Sequence, residues 1–303
     1  MTVATTTPLT VYGHATRVHE PRQRPTIPEI RGRKGGEPLV MVTAYDAPTA
    51  RIASEGGVDL ILVGDSVAMV VLGYDDTLQV TIDDLCHHTA AVARAKPSAL
   101  IVGDMPWMSY HTDTTTAVNN AARLIRAGAQ CVKLEGGRSR VAVIEALVAA
   151  EIPVMGHLGL TPQSINALGG YKVQAKQLDS IAALVSDAKA LEAAGCFALV
   201  LECVPAEVAA VITRSINIPT IGIGAGTECD GQVLVFHDLA GYEERRLPKF
   251  VRRYADLHAA AVDAVRDYCD DVRTHLFPSA DESYHLPPET AEVLPVIAPL
   301  RAE

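Results

Sequence analysis

One phrase, repeated eight times along the chain, constrains its fold more than any other feature. It is a short β-branched apolar run, then an abrupt polar or glycine break, then in most repeats an alanine-rich helical stretch. The apolar runs occupy residues 39–45, 60–64, 99–103, 131–134, 153–156, 198–201, 219–223 and 232–236. Helical spacing covers residues 47–55, 82–95, 116–127, 141–150, 179–194 and 207–215, with a further stretch at 249–274. Thr81 suits an N-cap, and Gly56, Gly128 and Gly195 stand where helices end. Runs such as Leu60-Ile61-Leu62-Val63 are apolar throughout, which suits a parallel sheet covered by helices; a strand with one wet face would alternate.

Eight such units predict an α/β protein with a (β/α)8 TIM barrel over residues 38–277, a single domain whose outer ring the 249–274 helix closes. An open doubly wound sheet is the alternative, but it would carry one dominant glycine-rich first turn, whereas polar signals recur here at many strand ends. Residues 1–37, without sustained periodicity, read as a flexible N-terminal arm, and the Pro-rich residues 278–303 as a tail without catalytic role. A chain of 303 residues, 49% hydrophobic and 20% charged, suffices for one barrel of about 250 residues.

A net charge of −10 without a basic cluster argues against nucleic acid or an anionic membrane as partner. The opening segment has no signal-peptide core and no later segment offers 18 uninterrupted apolar residues, so a cytoplasmic location is expected. The six cysteines are scattered without a C-x-x-C pair, which points to buried reduced thiols and away from disulfides or a zinc knuckle.

Barrel enzymes place their chemistry at the C-terminal ends of the strands. Those ends carry Asp65-Ser66, Asp104, Lys133 with Glu135, His157 and Glu202. Any single Asp after a strand is as readily explained as a helix cap. Asp104, however, precedes Met105-Pro106-Trp107 rather than a helix start, and Glu135 and Glu202 are of a type that caps poorly. Converging carboxylates repel one another, and a bound hard divalent cation relieves that repulsion.

Lys133 and Glu135 are two apart in a strand and so face the same side. A lysine among acids fits an anionic substrate, or else a salt bridge to Glu135 or a neighbouring Asp. His157 stands as a ligand for a substrate oxygen or metal-bound water, with a structural histidine as the equal alternative. Residues 222–226, Gly-Ile-Gly-Ala-Gly, allow close backbone approach to a ligand. The 159–176 loop is a candidate cover for the site, and His87 and His88 read as surface or packing residues.

Taken in order, VGDS (63–66), YDDTLQVT (74–81), GDMPW (103–107), VKLEGG (132–137), GHLGLTPQ (156–163), GGYKVQ (169–174), LECVP (201–205) and GIGAG with DGQVLV (222–235) carry a resemblance. From about residue 39 to 277 the chain resembles the ketopantoate hydroxymethyltransferase family. The resemblance implies transfer of a hydroxymethyl group from 5,10-methylenetetrahydrofolate to 3-methyl-2-oxobutanoate, giving ketopantoate (2-dehydropantoate) for pantothenate synthesis through a metal-stabilised enolate. It implies Mg²⁺ as cofactor and a homo-oligomer, commonly a decamer.

Matched motif by motif, Asp65, Asp104 and Glu135 are similar to the family's metal site, direct or through water. Asp65, Ser66, Asp104 and Lys133 are similar to its 2-oxoacid site, and Glu202 to its proton acceptor. One departure is Val67-Ala68 after Asp65-Ser66, where relatives often have Leu-Gly; it spares the Asp-Ser pair. The alternatives are a Mg²⁺-dependent carbon–carbon lyase or phosphonomutase-type barrel acting on a 2-oxoacid, and a non-catalytic barrel that binds a metal or anion. The first of these usually carries a reactive cysteine on a mobile loop, a role Cys203 and Cys229 do not obviously fit.

Overall fold

Eight parallel strands pair in sequence order and close when β8 pairs with β1. They are β1 Leu39–Thr43, β2 Leu60–Val63, β3 Leu100–Asp104, β4 Cys131–Glu135, β5 Val154–Gly159, β6 Ala198–Glu202, β7 Thr220–Ile223 and β8 Gly231–Leu234. The computed structural model describes residues 23–243 and 246–292. Each expected apolar run forms its strand, and the closed (β/α)8 barrel displaces the open sheet.

Several ladders run past the expected ends: Asp104 pairs with Lys133, Glu135 with His157 and Glu202 with Gly159. Each neighbour supplies backbone partners, so the strands continue through the polar residues that seemed to break them.

Helices α2 Ala47–Glu55, α3 Val67–Val70, α4 Ile82–Arg94, α5 Thr114–Ala127, α6 Val141–Ala149, α7 Ile165–Leu168, α8 Leu178–Ala193 and α9 Ala206–Ser215 follow β1 through β6. Caps set their limits. Asp46, Thr81 and Asp113 each accept a backbone N–H of the first turn, and Gly128, at φ 117°, ends α5 in the left-handed region. Between β7 and β8 only residues 224–230 intervene, with no helix. α10, Phe236–Ala240, follows β8.

Inside the barrel Leu39, Met41, Leu60, Leu62, Leu100, Val102, Met155, Val200, Ile221 and Val233 form the core. Each such side chain contributes about 1.5–3 kcal/mol by leaving water. Ile30 plugs the N-terminal end of this core.

Ile30 lies on α1, Ile27–Gly32, within the stretch expected to be an arm. Thr26 and Glu29 cap each other's backbone there, and Arg24 donates to the Pro97 carbonyl, so residues 24–36 fold onto the barrel. Residues 1–22 of the expected arm lie outside the described residues.

Among the described residues the chain's contacts define two compact units: 23–239 with 246–252, and 240–243 with 253–292. The second holds α11, Leu257–Arg273, within the expected 249–274 helix, and α12, Pro288–Ala291. None of the residues of α11 is buried. Residues 293–303 of the expected tail lie outside the described residues. No helix among the described residues is long and apolar enough to cross a membrane, and all six cysteines are unpaired.

Candidate active site

At the C-terminal ends of β2 to β5 the barrel buries five ionisable side chains: Asp65, Asp104, Lys133, Glu135 and His157, none more than 4% exposed. Strand geometry produces this layer. Lys133 and Glu135 alternate onto the interior face as expected, and register sets Asp104 beside Lys133 and His157 beside Glu135. The Lys133 ammonium lies 2.9 Å from Asp104 Oδ1 and 3.7 Å from Glu135 Oε1. Asp104 Oδ2 accepts the Asp65 backbone N–H at 3.0 Å.

Capping does not account for these acids. Asp46 and Asp113 accept from Thr49 and Thr116 backbone N–H groups, but the turn at Asp65-Ser66 leads into α3 with no side-chain cap.

Glu202, at the end of β6, stands at the rim with its side chain 17% exposed. His157 joins it to the interior: Nδ1 is 3.2 Å from Glu135 Oε1 and Nε2 is 3.2 Å from Glu202 Oε2. Nε2 therefore faces a carboxylate, and Nδ1 faces both Glu135 and the Lys133 ammonium, 3.3 Å away. Gly159 makes this close approach of β5 and β6 feasible. At φ 94° a Cβ there would sit 2.2 Å from the Glu202 carbonyl oxygen, which accepts from Leu160 N at 2.8 Å.

Burial raises the pKa of Asp65, and the fields of Asp104 and Glu135 raise it further. Asp104 is likewise raised, by burial and then Glu135, against the opposing pull of Lys133. Burial alone would raise Glu135 too, but His157 and Lys133 hold it below the usual range. For His157, burial and Lys133 favour the neutral ring, yet Glu135 and Glu202 outweigh them and raise its pKa to about 9. The Lys133 ammonium is favoured in the same way by Asp104, Glu135 and Asp65, against its burial. Three buried carboxyl groups thus crowd around the Lys133 ammonium and the His157 ring, and burial with like neighbours works against ionising Asp65 and Asp104.

No three His, Cys, Asp or Glu side chains among the described residues are gathered as a ready-made metal cage. The ammonium of Lys133 stands between Asp104 and Glu135 instead. Asp104 Oδ1 and Glu135 Oε1 nonetheless remain buried without an aligned hydrogen bond, which leaves acceptor capacity for a further cation.

Three further residues complete the site, and sequence reasoning missed all of them. Tyr45, buried after β1, shares a 2.8 Å hydrogen bond with Ser66 Oγ, and its carbonyl accepts from His88 Nδ1 at 2.7 Å. Tyr110, from the β3–α5 connection, and Gln163, from the 159–176 loop, lie buried among the acids. That loop is tied to the rim where Gln174 N donates to the Cys203 carbonyl at 2.9 Å. The 222–226 glycines do not open toward a ligand: a Cβ at Gly224 would meet Phe250, and one at Gly226 would meet Ala206. Burial first, then Glu202, raises the Cys203 thiol to about 11.

A closed parallel barrel with its buried charges at the C-terminal mouth is the scaffold of a barrel enzyme. The family model for ketopantoate hydroxymethyltransferase matches residues 24–280. The 3-methyl-2-oxobutanoate hydroxymethyltransferase of Oleidesulfovibrio alaskensis is 56% identical over 263 residues, covering 86% of this chain and 91% of that protein. Its namesake from Carboxydothermus hydrogenoformans is 53% identical over 271 residues, covering 89% and 98%. The chain belongs to the ketopantoate hydroxymethyltransferase family and is a transferase, which sets aside the non-catalytic barrel. Among solved structures, phosphonopyruvate hydrolase in complex with oxalate and Mg²⁺ shares the fold at a TM-score of 0.54 and 14% identity, covering 83% of this chain and 91% of that one.

Proposed function

We propose that the protein transfers a hydroxymethyl group from 5,10-methylenetetrahydrofolate to C3 of 3-methyl-2-oxobutanoate, giving ketopantoate in pantothenate synthesis. The observation that carries this reading is the chain from Lys133 through Glu135 and His157 to Glu202, which sets a cationic anchor and a rim carboxylate around one mouth.

Lys133 and Ser66 hold the 2-oxoacid carboxylate, with Tyr45 fixing the Ser66 hydroxyl. Glu202 takes the proton from C3. His157 orients Glu202 through the 3.2 Å approach of its Nε2 to Glu202 Oε2. The 159–176 loop covers the mouth but must admit the one water molecule the reaction consumes: the methylene carbon gains its bond to C3 and a hydroxyl from water as its two bonds to the folate nitrogens break. The hard-oxygen donors, among them Asp104 Oδ1 and Glu135 Oε1 with ion-pair contacts but no aligned hydrogen bond, fit Mg²⁺, which Asp65, Asp104 and Glu135 would hold directly or through water. When bound it supplies Lewis acidity, lowering the cost of negative charge on the keto oxygen. The reading extends to a cytoplasmic homo-oligomer, decameric by resemblance, which sedimentation velocity tests.

Incubation with both substrates and Mg²⁺, followed by mass spectrometry, should show ketopantoate, and chelation should stop it. Cleavage or rearrangement of the oxoacid without folate would instead support the lyase or mutase chemistry and overturn the proposal.

A further inference from the structure

We infer that Gln163 is a positioning residue that sets the carboxylates of Asp65 and Glu135 for cation binding, with Tyr110 fixing which way its amide points. The inference rests on the metal role proposed above. Gln163 follows β5, yet it touches the ends of three other strands. Its backbone N–H donates to Glu135 Oε2 at 3.1 Å, and Nε2 donates to Asp65 Oδ2 at 2.9 Å and to the Met105 carbonyl at 3.0 Å. Its Oε1 accepts from the Tyr110 hydroxyl at 2.6 Å. The Tyr110 oxygen in turn accepts the Glu135 backbone N–H at 3.1 Å.

This network leaves the amide one orientation. The end facing Asp65 Oδ2 and the Met105 carbonyl meets acceptors alone and must be the NH₂. The other end is then Oε1, which can only accept, so the Tyr110 hydroxyl donates to it. A side chain of this polarity is buried at a cost unless each of its groups is paired, and here each is.

The consequence is geometric. Gln163 occupies one oxygen of Asp65 and one of Glu135, leaving for a cation Asp65 Oδ1 and Glu135 Oε1, the latter shared with His157 Nδ1 at 3.2 Å and Lys133 Nζ at 3.7 Å. Partners that fix the orientation of ligating groups in this way typically govern metal affinity by about 10–100-fold.

The test is Mn²⁺ binding to the substrate-free full-length protein, read by electron paramagnetic resonance, with circular dichroism melts to establish folding. Gln163→Met should weaken Mn²⁺ binding by about 10-fold or more. Tyr110→Phe keeps the ring and removes the hydroxyl, with its bond to Gln163 Oε1 and its acceptor for Glu135 N, so it should weaken binding by about 3–10-fold. It carries the test alone if Gln163→Met does not fold. Because the two share the Gln163 amide while Tyr110 also accepts from Glu135 N, the loss in the double variant should be smaller than the product of the two single losses, and a fully multiplicative loss would overturn the shared route. Wild-type affinity in folded variants would overturn the inference and leave the proposed function standing. A wild-type protein that binds no Mn²⁺ would overturn both.

Discussion

At the N-terminal end of the barrel Asp230 accepts from Lys34 Nζ at 2.9 Å, from Gly35 N at 2.8 Å and from Thr220 N at 2.8 Å. These partners outweigh its burial and hold its carboxyl below the usual range. At the C-terminal end Asp65 and Asp104 are raised above that range, since burial and neighbouring carboxylates outweigh the donors they have. One residue type in one barrel thus does two jobs. Matched donors at the lower end make a staple between the segment after α1, β7 and β8. At the crowded upper end burial and neighbouring carboxylates work against ionisation of Asp65 and Asp104, and such electrostatic stress marks functional sites.

Substitution should separate the two ends. Asp104→Asn removes one of the repelling charges, so the ligand-free protein should melt no lower than wild type, while transfer activity falls by about 10²–10³-fold. A melt well below wild type would mean that Asp104 serves the fold as Asp230 does. Asp230→Ala should do the reverse, lowering stability in urea by about 2–4 kcal/mol as its donors lose their acceptor, with kcat unchanged in the folded enzyme.

The Asp230 contribution should also have a defined pH signature. Its folded pKa lies below the ordinary 3.8, so the added stability is fully present above the unfolded value and disappears as pH falls through the folded one. The stability difference between wild type and Asp230→Ala should be flat from about pH 5 to 8 and shrink below about pH 4. The smallest effect concerns Cys203, whose thiol is raised to about 11: iodoacetamide at neutral pH should leave it unmodified within the time that labels free cysteine. Rapid labelling would return a reactive-cysteine chemistry to consideration.

The acids were legible because strand periodicity locates strand ends and charge is conspicuous there. Asp65, Asp104, Glu135 and Glu202 all stand at such ends, and Lys133 follows from its spacing to Glu135. Gln163, Tyr110 and Tyr45 were not legible, because a neutral polar side chain leaves no mark in sequence until the fold surrounds it. Only its place in the GHLGLTPQ motif pointed toward Gln163. α1 was hidden for a different reason. The composition of the segment before β1 outweighed a local signal, the Thr26 and Glu29 capping box ahead of Ile30.

His157 illustrates the middle ground. Its position at the end of β5 was readable, but its service to two carboxylates depends on the register of β4, β5 and β6, which no single strand reveals.

The most direct measurement is proton NMR of 3-methyl-2-oxobutanoate in D₂O with Mg²⁺ and the enzyme. Wild-type protein should exchange the C3 hydrogen, and Glu202→Gln should slow that exchange by about 10²–10⁴-fold while still binding the oxoacid. A wild-type enzyme that leaves the C3 hydrogen in place, with folate or without it, would contradict the assignment of Glu202 as the base.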